Sequence, residues 1–297
     1  MRFGIGSPIV TFSNPDSWER KAGPKDLADI ATAADRLGFW HMTCSEHIAV
    51  PDGPYAGFPF WDPVATFGYL AAVTERIRFV TYVLILGLHH PLTIAKQYGT
   101  VDMISGGRLV LGLGVGNVEE EFDALGASFA DRGARADDAL LALKATLSRR
   151  SVSYHGPYYH YEQLIVDPHA VQPSVPLWIG GHSRRSFLRA VELGDAWIPP
   201  PAAHRGPTPT ELAAMVATTD LPERFDIGVS ADAPMDPMSQ SDHCLDAVER
   251  WRQAGATVMT VAFVHESAAH YVEQLEAFAA LIGLEAAAAP DTPGGLR

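Results

Sequence analysis

The architecture of this chain follows most directly from residues 109–117, which read Leu109-Val110-Leu111-Gly112-Leu113-Gly114-Val115-Gly116-Asn117. The first seven residues carry no polar side chain, whereas a strand with one solvated face would alternate apolar and polar residues. A continuous apolar run of this length is typical of a parallel strand that is covered on both faces. The segment therefore predicts a buried, parallel sheet.

The glycines of the same segment argue against one family of parallel sheets. An open, doubly wound sheet that binds a dinucleotide carries Gly-x-Gly-x-x-Gly after its first strand. Here the pattern starts at Gly112 and Gly114 but places Asn117 where the last glycine is needed, and it follows the fourth predicted strand. We therefore favour a closed barrel over the open sheet.

Seven further apolar runs have strand length, and segments with the helical period lie between them. The eight predicted strands are Phe3–Ser7, Phe39–Cys44, Ile77–Leu86, Leu109–Val115, Pro176–Gly180, Ala196–Pro199, Phe225–Ser230 and Val258–Val264. Eight strand–helix units predict a (β/α)8 TIM barrel, for which about 250 residues is a typical length. Residues 1–285 are predicted to form this barrel as a single domain. The tail, 286–297, is predicted to be disordered.

Two connections are longer than a minimal barrel needs. Residues 118–133, after strand four, contain Glu119-Glu120-Glu121, which we interpret as a solvated helix start whose charges complement the helix dipole. Residues 151–176, before strand five, predict a short hairpin that turns at Gly156-Pro157. Long insertions in a compact domain commonly serve as binding loops or lids.

Composition and charge exclude several classes of function. The 297 residues carry a net charge of −13, which argues against a nucleic-acid or anionic membrane surface. Cys44 and Cys244 are too few for a disulfide scaffold and fit a reducing compartment. No apolar segment reaches the roughly 18 residues of a membrane span, and no secretory signal opens the chain. We expect a cytoplasmic protein that acts on a small molecule.

In a barrel, the carboxyl ends of the strands share one rim, where active sites lie. Gly180-Gly181-His182-Ser183 follows strand five and precedes a predicted helix at Arg184. Glycines allow close approach of the backbone to a ligand, and the N-terminus of a helix attracts anions. Arg184 and Arg185 add positive charge there. The alternative is a tight turn in which Ser183 only caps its helix, and the pattern leaves both open.

Histidines at the same rim are candidates for proton transfer. His47 follows Glu46 at the end of strand two, and an imidazole suits proton transfer near neutral pH. A purely structural histidine in a loop is the alternative. His90 precedes Pro91 and is interpreted as structural, at a helix start. Motifs for a metal or a protein nucleophile are absent from the sequence, so a bound cofactor would supply the chemistry.

These segments together resemble the luciferase-like monooxygenase superfamily, in the branch that uses the deazaflavin coenzyme F420. The resemblance covers about residues 1–200 and is weak beyond. It is carried, in chain order, by Gly38-Phe39-Trp40, Ser45-Glu46-His47, Trp61-Asp62-Pro63, residues 70–77, His90-Pro91-Leu92, Ala95-Lys96-Gln97, residues 105–116, Glu120-Glu121-Phe122, residues 176–183 and Gly194-Asp195-Ala196-Trp197.

The resemblance implies a barrel, often dimeric, and assigns site residues. Glu46 and His47 would meet the cofactor ring and the substrate, and Val83-Leu84 would carry a non-prolyl cis peptide against the ring. Ser7, Asn117 and the loop Gly180, Gly181, His182 and Ser183 would bind the cofactor, the loop through its phosphate. Close relatives commonly have Trp at the position of Asn117, so that contact is a departure from the pattern.

The leading hypothesis is an F420-dependent oxidoreductase that transfers hydride between the deazaflavin and a small organic substrate. An FMN-dependent monooxygenase, supplied with reduced flavin by a separate reductase, is the first alternative, because motifs do not separate F420 from FMN. A non-catalytic flavin-binding barrel and a sugar-phosphate enzyme that binds substrate at Gly180–Ser183 are the others. We expect a homodimer, with no metal, nucleic-acid or membrane partner.

Overall fold

A computed structural model describes residues 1–11, 17–53 and 57–285, and the predicted tail, 286–297, lies outside the described residues. The strands in these ranges are β1 (Arg2–Gly6), β2 (His41–Cys44), β3 (Arg78–Thr81), β4 (Leu84–Ile85), β5 (Leu109–Gly114), β6 (Ser151–His155), β7 (His160–Ile165), β8 (Leu177–Gly180), β9 (Ala196–Ile198), β10 (Asp226–Ser230) and β11 (Val258–Val261). The helices are α1 (Pro24–Leu37), α2 (Pro63–Ala71), α3 (Pro91–Ile104), α4 (Glu119–Ala124), α5 (Arg132–Thr146), α6 (Arg184–Leu193), α7 (Pro209–Ala217), α8 (Ser241–Gln253) and α9 (Ala268–Ile282).

Parallel pairing closes the sheet on itself. The strand order is β3-β2-β1-β11-β10-β9-β8-β5, and β3 also pairs with β5, so that in the described ranges eight parallel strands form a complete ring. Each ring strand coincides with one of the eight predicted apolar runs. The predicted (β/α)8 barrel is therefore confirmed.

Burial explains why these runs do not alternate in polarity. One set of side chains, including Val80, Val110 and Trp178, forms a cluster of its own. The residues of opposite parity, such as Phe79, Leu109 and Ile179, pack with the helices in a larger core. The first set therefore fills the barrel interior, and both faces of the sheet exclude water.

The insertion between β5 and β8 contains α4, α5 and the antiparallel pair β6–β7. The hairpin turns where it was predicted, and Gly156 N donates to Tyr159 O at 2.9 Å. Asp138 of α5 accepts from the N–H groups of Tyr158 and Tyr159 at 2.8 and 3.0 Å, so the hairpin tip is held against the barrel's helical layer.

The third predicted strand is wrong in its length. The apolar run 77–86 was expected to be continuous, but β3 ends at Thr81 and the chain resumes as β4 after a cis peptide bond between Tyr82 and Val83. The cis bond was expected between Val83 and Leu84 and lies one residue earlier. Apolar periodicity reports burial but carries no information on the isomer of a peptide bond.

Asp102, at the buried end of α3, ties the insertion to the barrel. Its carboxylate accepts from Val171 N at 2.9 Å, Gln172 N at 3.0 Å and Leu109 N at 3.3 Å. We expect Asp102→Ala to lower the free energy of unfolding by about 3 kcal/mol, because several buried donors lose their acceptor. Urea denaturation measures this loss.

The control is Asp29→Ala, which removes an exposed carboxylate paired only with Lys25 at 2.6 Å. Such surface pairs contribute little. Equal and small losses for the two variants would contradict the structural role of Asp102.

Candidate active site

The polar groups named in the sequence analysis lie at the carboxyl end of the barrel, where a cavity of about 510 Å³ opens. Strand ends and the loops that follow β1, β2, β3, β10 and β11 build its wall. The described lining residues are Gly6, Ser7, Pro8, Val10, Thr11, Ser17, Glu19, Thr43, Ser45, Tyr82, Pro201, Ser230, Ala231, Thr260, Val261, Ala262, His265 and Tyr271. Ser7 is thus the one predicted site residue within this described lining.

The segment Tyr82–Ile85 links the two sides of the rim. Glu46, at the end of β2, accepts from Ile85 N at 2.9 Å and from His89 Nε2 at 2.9 Å. On the other side, a Cβ added to Gly180 would lie 3.0 Å from Val83 Cγ1. Two of the predicted site residues therefore meet the segment Tyr82–Ile85: Glu46 is hydrogen-bonded to it, and Gly180 packs against it.

Tyr82, the first residue of this segment, lines the cavity. Its hydroxyl lies 2.9 Å from Ser230 Oγ at the end of β10, and burial raises the pKa of the phenol while the Ser230 contact opposes that rise. The tyrosine therefore remains protonated and can donate one hydrogen bond.

His47 is paired with a residue that the sequence analysis assigned to solvent. Its Nδ1 lies 2.8 Å from Glu121 Oε2, and the Glu121 side chain is only 2% exposed. Glu121 Oε1 accepts from Ile48 N at 2.6 Å and Ala49 N at 3.2 Å. Since that carboxylate already accepts two backbone protons, the geometry favours a proton on His47 Nδ1 that is donated to Glu121.

The interpretation of Glu119–Glu121 as a solvated run is therefore wrong at its last residue. Glu119 and Glu120 are exposed, but Glu121 is buried. The sequence contains a signal for the burial of Glu121. Glu121 stands three residues after Val118 and directly before Phe122, so it lies on the same helix face as these two apolar residues. Glu46 and His47, although adjacent in the sequence, have different partners: Ile85 N and His89 for Glu46, and Glu121 for His47.

The loop after β8 has the predicted turn and cap. Ser183 is the N-cap of α6, and its hydroxyl accepts from Ser186 N at 3.1 Å. Gly181 has φ +116°, a conformation that side chains rarely adopt, and its carbonyl accepts from Trp197 Nε1 at 3.0 Å. His182 and Ser183 are exposed, and Gly180 and Gly181 are half-buried.

The two arginines after this loop differ in their availability. Arg185 donates to Asp137 at 3.0 Å, and Arg189 pairs with the same carboxylate. Arg184 is exposed and has no hydrogen bond or ion pair to any described residue. Arg184 therefore adds unpaired positive charge beside the N-terminus of α6.

Asn117 lies at the same rim, in the loop that leaves β5. It is exposed and follows Gly116, where a Cβ would lie 2.5 Å from Phe122 Cε2 and 2.8 Å from Ile85 Cγ2. The loop thus packs on the Tyr82–Ile85 segment, but Asn117 itself is outside the described lining of the cavity.

The pair His89–Glu46 leads to a pH-dependent prediction. Burial of His89 opposes its charged form, but the hydrogen bond and the charge of Glu46 outweigh burial and raise the pKa of His89 above its ordinary value of 6.5. A raised pKa in the folded state means that the stabilisation is complete below the ordinary value. It is lost as the pH rises through the folded-state value.

We therefore expect His89→Asn to destabilise the protein more at about pH 5.5 than at about pH 9. Urea denaturation of both proteins at the two pH values gives the difference. His243→Asn, at an exposed position of α8, is the control, and its effect on the free energy of unfolding should be the same at both pH values. A larger loss at alkaline pH would contradict the prediction.

Comparison with known proteins agrees with this architecture. The family described as luciferase-like monooxygenase matches residues 1–286. An uncharacterised protein of Mycobacterium tuberculosis is 29% identical over 248 residues, which are 79% of this chain and 83% of that protein. An F420-dependent glucose-6-phosphate dehydrogenase of Kineococcus radiotolerans is 30% identical over 182 residues, 59% of this chain and 52% of that enzyme.

A solved structure shows the same fold at lower identity. A monooxygenase from Streptomyces bottropensis has a TM-score of 0.77 at 20% identity, with 95% of this chain and 98% of that chain covered. The family match, together with the named relative, identifies the class as flavin- or deazaflavin-dependent oxidoreductases and monooxygenases. This chain belongs to the luciferase-like monooxygenase family.

Every helix within residues 1–11, 17–53 and 57–285 is too short or too polar to span a bilayer.

The residues present fit an anionic, planar cofactor of the kind that this family implies. Ser7 Oγ is buried and has no hydrogen-bond partner among the described residues, although it faces the cavity. The positive φ of Gly181 keeps the backbone before α6 free of a side chain, as close approach of a phosphate requires. The rim therefore offers polar groups whose partners the described protein does not supply.

Proposed function

We propose that this protein is an F420-dependent oxidoreductase that transfers a hydride between the deazaflavin and a small organic substrate. The observation that carries the proposal is the convergence of three features at one end of one barrel. These are the His47–Glu121 pair, the Tyr82–Ile85 segment and the diglycine loop with its helix N-terminus. When bound, reduced F420 supplies the hydride from its C5 carbon.

In this proposal the chain binds the two ends of the cofactor separately. The backbone N–H groups at the start of α6, the Ser183 hydroxyl and Arg184 would bind phosphate, with Gly180, Gly181 and His182 forming the approach. Ser7 and residues 82–84 would hold the ring, and Asn117 would contact the linker.

His47 would move the proton that accompanies hydride transfer. With Nδ1–H donated to Glu121, Nε2 is the nitrogen that gains or loses a proton. The buried carboxylate, 2.8 Å from Nδ1 and 2% exposed, also holds the ring in one orientation. Glu121 is therefore a positioning residue. Glu46 positions the Tyr82–Ile85 segment and has no proposed part in proton transfer.

The choice of F420 over FMN is supported by the Kineococcus relative, whose name states F420 dependence. An FMN-dependent monooxygenase on the same fold is the competing outcome. We further propose that residues 1–285 act as one catalytic domain, in a cytoplasmic homodimer supplied with reduced cofactor by a separate reductase. Two buried, free cysteine thiols support a reducing compartment.

Titration of the protein with F420 and with FMN, followed by fluorescence, tests the proposal directly. We expect F420 to bind at micromolar concentration and FMN about tenfold or more weakly, a difference of about 1.4 kcal/mol. Reduced F420 should then be consumed on addition of a substrate without uptake of oxygen. Tight binding of FMN only, with oxygen consumption when reduced FMN is supplied, would establish the monooxygenase instead.

A further inference from the structure

The wall of the cavity next to β1 and β11 contains a buried carboxylate that the proposed reaction does not use. Glu19 lies in the single turn of helix at Trp18–Lys21, lines the cavity and is 7% exposed. Its nearest polar contact among the described residues is His265 Nε2, at 3.6 Å. That distance is too long for a hydrogen bond.

His265 is held in a form that does not neutralise this charge. Its Nδ1 accepts from Trp18 Nε1 at 2.9 Å, because an indole nitrogen can only donate. In the neutral ring the proton therefore lies on Nε2, towards Glu19. Burial lowers the pKa of His265, the charge of Glu19 opposes this, and the neighbouring His270 lowers it further.

Neither lysine nor arginine occurs in the described lining of the cavity. Arg20, the residue after Glu19, is exposed and lines a neighbouring depression that Glu19 also borders, but among the described residues it forms no ion pair with Glu19. A buried carboxylate without a nearby cation carries a large desolvation cost, which a cationic ligand would offset. The local field in the cavity therefore favours positive charge.

The same wall also presents unused hydrogen-bonding groups. The hydroxyl oxygens of Thr11 and Ser17 are buried and without a hydrogen-bond partner among the described residues, and both residues line this cavity. Buried polar atoms are almost always paired, by protein, water or ligand. Two such hydroxyls in one cavity, beside a buried carboxylate, indicate a built binding site.

The position of this wall separates it from the diglycine loop. In the ring order β1-β2-β3-β5-β8-β9-β10-β11, the pair β1 and β11 lies diametrically opposite β5 and β8. The phosphate-binding features follow β8, so the cavity wall at Glu19 is at the far side of the mouth. A cofactor anchored at β8 would leave this wall for the substrate.

We propose that Glu19, with His265 beside it, binds a positively charged amine of the substrate. The inference rests on the proposed function in placing a substrate here, but the binding site itself consists of residues outside the proposed cofactor loop. It implies a substrate class different from the phosphorylated sugar in the name of the Kineococcus relative. An anionic substrate would meet the Glu19 carboxylate without a compensating cation.

Three probes of equal size and different charge test the proposal: benzylamine, benzyl alcohol and benzoate. Calorimetric titration is carried out on the cofactor-free protein and again with F420 bound. We expect benzylamine, a cation at neutral pH, to bind about tenfold or more tightly than benzyl alcohol, because hydrogen bonds to charged groups are the stronger class. Benzoate should bind most weakly. Equal binding of the three, or a preference for benzoate, would overturn the inference without any variant.

Glu19→Gln keeps the size and hydrogen-bonding capacity of the side chain and removes only its charge. We expect this variant to bind benzylamine and benzyl alcohol equally, with its affinity for F420 unchanged. The matched control is Glu266→Gln, next to His265 in sequence but exposed and outside the described lining, which should keep the preference for the amine. A preference that survives Glu19→Gln would overturn the assignment.

Two failures are distinguishable in this design. Binding of F420 without any preference among the probes would reject the amine site and leave the proposed function standing. A Glu19-dependent preference for benzylamine in a protein that does not bind F420 would support the amine site and reject the proposed function.

Discussion

Replacement of His47 by alanine is expected to reduce the rate of hydride-transfer turnover by about 10²- to 10⁴-fold, the usual contribution of a positioned acid or base. The affinity for F420 should change little, since the groups proposed to bind phosphate lie after β8 and not after β2. The imidazole is held through Nδ1 by a carboxylate that is itself fixed by two backbone donors. Its removal deletes a pre-oriented proton carrier that water replaces poorly.

Steady-state turnover with F420, together with F420 titration, measures the two quantities separately. Glu121→Gln is the companion variant, because it keeps the shape of the partner but removes its charge. It should lower turnover less than His47→Ala does and leave the affinity for F420 unchanged, as expected of a positioning residue. His243→Ala, on the exposed face of α8, is the control. Unchanged turnover in His47→Ala would contradict the proposed role of His47, whereas intact cofactor binding without turnover in the unsubstituted protein would favour a non-catalytic barrel.

Replacement of Gly181 by alanine is expected to weaken F420 binding by about ten- to hundredfold. Gly181 has φ +116°, and an added Cβ would lie 2.9 Å from Ser186 Cβ in the first turn of α6. A side chain in such a backbone region costs about 1–3 kcal/mol, and the loop relieves this by changing its conformation. That change displaces the N–H groups proposed to bind phosphate.

Gly126→Ala separates strain from function. Gly126 also has positive φ, +67°, but no atom lies within 4 Å of an added Cβ. We expect it to destabilise the fold modestly and to leave F420 affinity unchanged, as measured by thermal unfolding and fluorescence titration. Equal losses of affinity in the two variants would contradict a cofactor role for the loop after β8.

Much of the architecture was predictable because its determinants are local. Apolar runs mark buried strands, Pro91 and Ser183 mark helix starts, and Gly156-Pro157 marks the hairpin turn. Each of these depends on residues that are neighbours in the chain. The same locality makes the loop after β8 recognisable as a helix N-terminus from the sequence alone.

The pairing of the polar groups was not predictable in the same way. His47 and Glu121 are 74 residues apart and meet because β2 and α4 both open on one rim. Glu46 and His47 are adjacent in the sequence, but Glu46 holds Ile85 and His89 whereas His47 contacts Glu121. Hydrogen bonds between distant segments depend on where the strand ends lie once the barrel has closed. Composition and periodicity do not encode these positions.

The order of apolar and turn residues was thus sufficient for the barrel, its rim and the diglycine turn, since each strand and helix start responds to its own neighbours. The partners of His47, the interruption after Thr81 and the electrostatics around Glu19 required the folded chain. In the unfolded chain a carboxylate accepts hydrogen bonds from water, and only packing decides whether donors of another segment replace that water or leave the charge uncompensated.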